Sequence, residues 1–533
     1  MTGTPTLSVA TWLAAAAPII VLLILMIGFS WSGARAGAAA WITALIVSLA
    51  VFGGNERLIA FANGKAILLS IWVLYIIWSA LLLFHVVNEA GAIKTIGDGL
   101  SLVTTNRTMQ LLLLAWAFTS FLQGIAGYGV PVAVVAPLLV GLGFTPILSV
   151  VVTSIGHSWA VTFGSLAASF IAMEGVTGIA GSHLAGPAAL MLGLAGYFCG
   201  FALTWAYGGW RTMVKATPMI LTLGTVMGGT EWFMAVHGYY SLASFTAGLV
   251  GLAVGIGISR LPMLRREPVF AGEAPPVMGG SQEATPRLRD LGVALSPYVV
   301  LIVIVLAASL ITPLTHALDA VELNIAFPAT HTSFGWTNKA TASYRSISVF
   351  GHAGALLLYT AIIGYLIYRF TGKLGPGALR QVGKKTLAGA VPSSLGIITL
   401  VAMALVMMES GMTFQLAQGI SKAARDSFPI LAPFIGVLGC FMTGSNTNSN
   451  ILFGALQRDT SQLLGLPATI ILAAQTTGGA LGGIIAPAKL IVGCSTVGLN
   501  GQEGPVIRAG VKWGLMITLL IGIATFVAVQ IGL

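Results

Sequence analysis

The sequence predicts an all-α polytopic membrane protein with about 12 transmembrane helices and two re-entrant hairpins, arranged in two inverted repeats. Three observations predict this class. Of the 533 residues, 56% are hydrophobic and 8% are charged, whereas soluble domains are roughly one quarter charged. Apolar stretches long enough to cross a bilayer recur along the whole chain, and motifs of the first half return in the second.

Composition also limits the classes of function. The net charge of +10 is explained by basic residues in cytoplasmic loops, and the chain has no basic soluble domain with which to bind nucleic acid. The three cysteines show neither disulfide nor metal spacing, so we expect no metal and no cofactor. The first apolar stretch lacks a preceding basic residue and a clear cleavage site, so we interpret it as a retained helix.

Twelve apolar stretches approach the ~20 residues that a spanning helix needs. We place these spans near 12–32, 36–53, 66–90, 146–172, 184–208, 217–235, 242–260, 295–313, 351–370, 387–409, 467–495 and 510–531. Two further stretches, 108–140 and 428–457, are each interrupted by a Gly- or Asn-rich centre, and their halves are too short to span comfortably. We interpret each of these as a re-entrant hairpin.

The basic residues test this topology, because cytoplasmic loops carry the excess of Lys and Arg. With twelve spans and two hairpins, seventeen of the 25 basic residues fall on one side and seven on the other. The richer side is then cytoplasmic and both termini face outside. The stretch 261–290 becomes a cytoplasmic linker, and 314–349 becomes a long outer loop that acts as a lid or cap.

An internal repeat defines the domain organisation. The matching residues keep one constant offset: Glu89, Gly91, Gly99 and Ser101 correspond to Glu409, Gly411, Gly419 and Ser421. The span count gives the two copies opposite orientations. The first repeat covers 12–208, linking helices cover 217–260, and the second repeat covers 295–531. Inverted repeats are typical of secondary transporters that work by alternating access.

Carriers of this architecture bind substrate near the midplane, where broken helices free backbone groups. The second hairpin tip, 444–450, concentrates hydroxyls and amides that can hold a carboxylate without a buried charge. The first tip, 124–129, is mostly glycine, and for both tips simple capping of the turn is the alternative. Further breaks are expected at 156–159 and 478–483, with close helix packing as the alternative for the glycines.

Membrane-embedded ionisable residues give the sharpest indications. Lys489 lies within an apolar span and needs an anionic partner unless it snorkels to the interface. His157 titrates in the physiological range and can carry a proton or be a satisfied buried imidazole. Glu89 and Glu409 are repeat-related, with capping or salt bridging expected and proton relay as the alternative. Glu231 is interpreted as structural.

No enzyme signature is present. The chain has no Walker-type phosphate loop, no HExxH motif and no cytoplasmic segment large enough for an ATPase domain. The polar hairpin tip and the membrane-embedded ionisable residues therefore predict a carrier for a small organic anion. A channel is the alternative from another class, and it would require a continuous polar pore.

Three stretches resemble the bacterial lactate permease family: TGSNTNSNILFGALQ (443–457), TTGGALGGIIAPAKLIVGCSTVGL (476–499) and GIAGYGVPVAVVAPLLVGLGFTP (124–146). The resemblance implies uptake of L-lactate, D-lactate or glycolate with protons across the bacterial inner membrane. It also suggests a relation to ion-transporter superfamily carriers, which use two hairpins with Ser-Asn-Thr tips and an elevator movement. The second tip matches that pattern and the first tip does not, which weakens the inference of a sodium site.

The combined prediction is a proton-coupled symporter for 2-hydroxymonocarboxylates, acting as a monomer or homodimer. The expected substrate-binding residues are Ser445, Asn446, Thr447, Asn448, Gly127, Tyr128, Gly129, His157, Ser158, Thr162, Gly478, Gly479 and Lys489. The expected proton-coupling residues are His157, Glu409 and Glu89. A sodium-coupled carrier for another organic anion is the alternative within transport.

Overall fold

The computed structural model describes residues 3–29, 31–101, 103–125, 127, 129–260, 288–344, 346–499 and 503–532. The predicted linker 261–290 therefore lies almost wholly outside the described residues. The first eleven helices are α1 (Val9–Leu23), α2 (Gly33–Ala50), α3 (Glu56–Glu89), α4 (Ala92–Ser101), α5 (Arg107–Leu111), α6 (Thr119–Ile125), α7 (Val130–Gly141), α8 (Pro146–Ser158), α9 (Gly164–Thr177), α10 (Gly181–Val236) and α11 (Ala243–Ser259).

The second half of the chain continues with helices and four short strands. Its helices are α12 (Leu288–Leu310), α13 (Thr312–Leu318), α14 (Ala353–Phe370), α15 (Ala378–Glu409), α16 (Met412–Ala424), α17 (Phe428–Thr443), α18 (Asn446–Leu463), α19 (Ala468–Leu481), α20 (Pro487–Thr496) and α21 (Glu503–Gln530). The strands are β1 (Glu322–Leu323), β2 (Thr330–His331), β3 (Thr337–Asn338) and β4 (Ile347–Ser348), which pair antiparallel as β1 with β4 and β2 with β3.

The described helices confirm the predicted class of an all-α polytopic membrane protein. Twelve of them are long and apolar enough to cross a membrane, and a pair bent by 50°, Pro146–Val161 with Gly164–Thr177, brings the number to 13. Helix α10 has 56 residues and would measure ~84 Å if it were straight, far more than a ~30 Å hydrocarbon core. Non-helical torsions at Gly208 and Gly209 divide it, between the predicted spans 184–208 and 217–235.

Two ion pairs join α3 to α15, one near each end of their contact. Lys65 near the start of α3 donates to Glu409 at the end of α15, with Nζ and Oε1 2.8 Å apart. Lys385 near the start of α15 donates to Glu89 at the end of α3, with Nζ and Oε2 2.6 Å apart. The two lysines stand at the same offset as the two glutamates. The helices are therefore antiparallel, and the two contacts are reciprocal, as a two-fold relation between inverted repeats requires.

The two ion pairs differ in their exposure because the outer loop covers one of them. The Lys65 and Glu409 side chains are 6% and 11% exposed, whereas those of Lys385 and Glu89 are 46% and 19% exposed. The Phe327 ring lies 5.8 Å from the Lys65 ammonium. The loop, with α13 and both small sheets, thus covers one end of the α3–α15 contact, in the manner of the predicted cap.

Each stretch predicted to form a hairpin contains two helices that meet near its centre, and these helices differ in length. In the first, α5, a π-helical segment (Leu112–Phe118) and α6 run together for 19 residues, long enough to span, whereas α7 has only 12. The expectation that this first limb is too short is therefore wrong. The helix passes through Gly124 because that glycine packs directly on the backbone of Phe245 in α11. In the second hairpin, α17 and α18 meet at Gly444 and Ser445.

Candidate functional site

A cavity of about 310 Å³ opens beside the second hairpin tip. One wall consists of the start of α2 and the middle of α15, and the other consists of the hairpin tip and α20. The lining residues are Ser32, Gly33, Ala34, Pro392, Gly396, Ile397, Thr443, Gly444, Ser445, Asn448 and Lys489. Three of the residues predicted to bind substrate, Ser445, Asn448 and Lys489, therefore face one space.

The second tip presents a helix N-terminus to this cavity. Gly444 adopts φ 71°, the left-handed conformation that ends α17, and Ser445 then caps α18 by accepting from the backbone N–H of Asn448 at 3.4 Å. Helix α18 is 18 residues long, so the dipole at its N-terminus favours an anion at this point. The Asn448 side-chain oxygen is buried and has no hydrogen-bond donor among the described residues.

Lys489 supplies a positive charge to the same cavity. The residue is 6% exposed and occupies the third position of α20, where the helix dipole disfavours a cation. In the described part of the chain no carboxylate lies within ion-pair distance of its ammonium. A buried ammonium without a counter-ion is costly, so this position favours a bound anion.

Asn446 and Thr447 turn away from the cavity toward the broken helix of the first repeat. The Asn446 side-chain amide donates to Thr162 Oγ1 at 3.1 Å and approaches Thr476 Oγ1 at 3.4 Å. Thr447 Oγ1 lies 3.0 Å from Ser169 Oγ. Both tip residues are therefore held by polar groups behind the cavity wall, and the structure joins Thr162 to the second tip as part of one buried network.

The first helix break lies a few residues later than the sequence predicted. Helix α8 contains His157 and Ser158 in its last turn, and a 3₁₀ segment (Trp159–Val161) follows it. Three consecutive residues, Ser165, Leu166 and Ala167, have left-handed φ values of 46°, 58° and 67°. Such values are costly for residues with a Cβ atom and persist where the surrounding packing holds them. The break is therefore a built-in feature of this position.

The second break begins within the predicted stretch 478–483, but only at its last two glycines. Gly478 and Gly479 lie inside α19, which continues to Leu481, and a 3₁₀ segment (Gly482–Ile484) then leads to α20. A Cβ atom at Gly478 would overlap the carbonyl oxygen of Pro433, and one at Gly479 would overlap the side-chain oxygen of Asn446. A break at these two glycines was thus a wrong expectation. They remain helical because they allow α19 to pack closely against the second hairpin.

His157 and Ser158 lie outside the cavity lining. His157 is fully buried, its Nδ1 lies 2.8 Å from the Thr153 carbonyl oxygen, and its Nε2 has no hydrogen-bond partner among the described residues. The ammonium of Lys489 is close enough to interact with it electrostatically. Ser158 Oγ donates to the Ile155 carbonyl at 2.8 Å and lies 3.4 Å from the Cys199 sulfur, so it faces α10.

The first hairpin tip contacts the backbone of α20 instead of lining the cavity. Gly129 adopts φ 83°, and its Cα faces the Lys489 carbonyl oxygen and the Val492 side chain. Gly127 packs against Ser165 of the left-handed segment. Tyr128 lies outside the described residues. The two repeats therefore contribute unequal tips, with the polar tip at the cavity.

Sequence reasoning did not assign several members of the buried network. Asn450 Nδ2 donates to Thr476 Oγ1 at 2.8 Å and to the Ser169 carbonyl at 3.0 Å. Gln457 Nε2 donates to Gln475 Oε1 at 3.0 Å. A signal for these residues was available, because amides and hydroxyls recur at helical spacing inside otherwise apolar stretches. The cavity wall formed by Pro392 and Gly396 of α15 contains no such polar pattern from which a site could be predicted.

Comparison with known proteins places the chain among membrane permeases. A family model described as L-lactate permease matches residues 11–532. The chain is 29% identical to the glycolate permease GlcA of Escherichia coli (strain K12), covering 96% of this chain and 94% of that protein. It is 28% identical to the L-lactate permease of Bacillus subtilis (strain 168), with 96% and 95% covered. The solved Alcanivorax borkumensis YdaH transporter is similar at TM-score 0.47 and 17% identity, over 90% of this chain and 88% of that chain.

Proposed function

Because the chain belongs to the L-lactate permease family of multi-pass membrane transporters, we propose that it takes up lactate or glycolate together with protons. The chain is a transporter and not an enzyme. Relatives that span more than nine tenths of it are named for glycolate and for L-lactate. Both compounds are small 2-hydroxymonocarboxylates, and this chemical class is the one we assign to the substrate.

The observation that carries the proposal is the Lys489 ammonium at the edge of the cavity, which has no carboxylate within ion-pair distance among the described residues. A carboxylate bound there would neutralise the charge and would also face the N-terminus of α18. A volume of about 310 Å³ holds a small monocarboxylate with several waters, since one water occupies ~30 Å³. One cation and one helix terminus suit a substrate with one carboxylate better than a dicarboxylate.

The polar residues of the tip then have distinct roles. Ser445 and Asn448 line the cavity and are placed to bind the substrate carboxylate or its 2-hydroxyl. Asn446 and Thr447 do not line the cavity, and they hold the tip in place through hydrogen bonds to Thr162 and Ser169. A carboxylate held this way needs no second buried charge, because neutral donors complete its hydrogen bonds.

The position of the cavity supports an elevator movement. Its two walls belong to different groups of helices, α2 and α15 on one side and the second hairpin with α20 on the other. If the second group slides past the first, the site passes from one face of the membrane to the other. Alternating access in inverted-repeat carriers proceeds by such rigid-body displacement.

The proposal is tested by uptake of labelled lactate into membrane vesicles. An imposed pH gradient, acidic outside, should drive accumulation above the external concentration, and a proton ionophore should abolish it. Glycolate should compete with lactate, whereas a dicarboxylate should not. Uptake that ignores the pH gradient but requires sodium would overturn the proton assignment, and non-saturable flux without accumulation would indicate a channel.

The role of Lys489 is tested separately with binding measurements. Lys489→Met removes a charge-assisted hydrogen bond, so lactate affinity should fall by about 1.5–3 kcal/mol, or roughly 10- to 150-fold. The matched control is Lys422→Met, since Lys422 is exposed at the end of α16 and should leave affinity unchanged. Equal affinities in the two variants would show that Lys489 is not a substrate ligand.

A further inference from the structure

A fully buried carboxyl group lies behind the first helix break. Glu231 belongs to the second part of α10 and is 0% exposed. Its Oε2 lies 2.9 Å from Ser244 Oγ on α11, and its Oε1 has no hydrogen-bond partner among the described residues. An ionised carboxylate with one unsolvated oxygen is costly in such surroundings. The substrate site does not use this group, and the sequence suggested only a structural role for it.

Ser244 connects this carboxyl to the backbone of the break. Its Oγ lies 2.9 Å from the carbonyl oxygen of Ala160 and 2.9 Å from Oε2 of Glu231. A serine hydroxyl has one hydrogen, and a carbonyl oxygen can only accept. Both hydrogen bonds can therefore exist together only when Ser244 donates to Ala160 and a protonated Glu231 donates to Ser244.

Loss of the proton changes the hydrogen bonding of the break. An ionised Glu231 can only accept, so it takes the Ser244 hydrogen and the Ala160 carbonyl loses its donor. Ala160 lies in the 3₁₀ segment, two residues before Thr162. Thr162 Oγ1 in turn accepts from the side-chain amide of Asn446 at the second tip. The protonation state of Glu231 thus reaches the substrate-binding hairpin through three hydrogen bonds, joined by the backbone between Ala160 and Thr162.

The neighbouring elements bring no charge into contact with Glu231. Helices α11 and α19, which pack on α10, contain no Asp, Glu, Lys, Arg or His. The titratable or charged groups on the other neighbours are Arg107, His157, Glu174, Tyr240, Glu503, Arg508 and Lys512. Helix α10 itself carries His183, Tyr197, Cys199, Tyr207, Arg211 and Lys215, and His237 is its C-terminal cap. Within the described residues, Ser244 is the one hydrogen-bond partner of the Glu231 side chain.

We propose that Glu231 binds the coupling proton and that Ser244 transmits its protonation state to the broken helix at the substrate site. The proposal rests on the proton-coupled function inferred above. Glu89 and Glu409, the carboxylates suggested by the sequence, are engaged by Lys385 and Lys65. Proton binding at Glu231 requires no counter-charge, because the group becomes neutral and keeps both hydrogen bonds.

The experiment uses the full-length protein in proteoliposomes with two readouts. The first is lactate accumulation driven by a pH gradient, and the second is exchange of labelled for unlabelled lactate without any gradient. Glu231→Gln mimics the protonated carboxyl, since its amide can donate to Ser244. We expect the rate of lactate exchange in this variant to stay within about twofold of wild type. Its gradient-driven lactate accumulation should fall at least tenfold. The carboxyl control Glu174→Gln should keep both.

The outcomes separate this proposal from the function on which it rests. Wild-type protein that does not respond to the pH gradient overturns both. If the pH gradient drives lactate accumulation equally well in the wild type and in the Glu231→Gln variant, the Glu231 assignment alone is overturned. If that variant does not fold, the Ser244→Ala variant tests the assignment instead. It keeps the Glu231 carboxyl and removes the hydroxyl that joins this carboxyl to the Ala160 carbonyl. It should lose accumulation while retaining exchange, and unchanged accumulation would likewise overturn the assignment.

Discussion

Substitution of the repeat-related glutamates measures the effect of burial on two otherwise equivalent ion pairs. Glu409→Gln leaves the Lys65 ammonium unpaired at a site where the two side chains are 6% and 11% exposed. Removing one partner of a buried pair costs about 3–5 kcal/mol, because the remaining charge stays desolvated. Glu89→Gln removes the partner of Lys385, whose side chain is 46% exposed and can be solvated. An exposed pair contributes only ~0–1 kcal/mol.

We therefore expect Glu409→Gln to lower the free energy of unfolding by at least ~2 kcal/mol more than Glu89→Gln. The assay is denaturant unfolding in detergent, followed by the fluorescence of the 12 tryptophans. The reversed pair, Lys65→Glu with Glu409→Lys, should recover part of the loss. Equal losses in the two single variants would refute the argument, which attributes the difference to burial.

Two further predictions concern the glycine packing and the buried network. Gly478→Ala should prevent folding or abolish transport, because the new methyl group would overlap the Pro433 carbonyl, whereas Gly229→Ala in an open helical position should leave expression and uptake unchanged. Normal uptake by the first variant would contradict the packing. Thr162→Val should reduce lactate uptake roughly 5- to 150-fold, since leaving buried polar partners unsatisfied costs ~1–3 kcal/mol. Ser158→Ala should change lactate uptake less than twofold. A larger loss with Ser158→Ala than with Thr162→Val would mean that the substrate site does not lie at the second hairpin tip.

The fold class and the repeat could be predicted because their signals are local and strong. Long apolar stretches identify helices in lipid, where every backbone group must be bonded internally. The Glu–x–Gly pattern at residues 89 and 409 predicts the repeat, and the two reciprocal ion pairs between α3 and α15 are consistent with it. The reciprocal lysines at 65 and 385 were also present at that offset, but a single basic residue beside an apolar stretch carries no pairing information until the helices are brought together.

The positions of the helix breaks could be predicted only approximately. Glycine marks both close packing and chain reversal, and the sequence alone does not distinguish the two. Gly478 proved to serve packing, while the left-handed segment at residues 165–167 contains no glycine at all. That segment is held by tertiary contacts, which local propensity does not report.

The candidate site was predicted in part for a similar reason. Lys489 and the second tip could be identified because polar groups in an apolar stretch are costly and therefore informative. The opposite cavity wall, at the start of α2 and the middle of α15, consists of small or apolar residues that could serve any helix contact. Glu231 was visible in the sequence, but its meaning depends on Ser244 and Ala160, which come from two other elements.

The reciprocal contact between α3 and α15 has a consequence for how such a chain can be specified. A helix with a lysine in its first third and a glutamate as its last residue neutralises both charges when it lies antiparallel to a copy of itself. One half-length sequence, inserted into the bilayer in both orientations, would therefore have been enough to encode the whole contact. A chain that carries two such copies can cover one end of the contact and leave the other open, as the buried Lys65–Glu409 pair and the exposed Lys385–Glu89 pair illustrate.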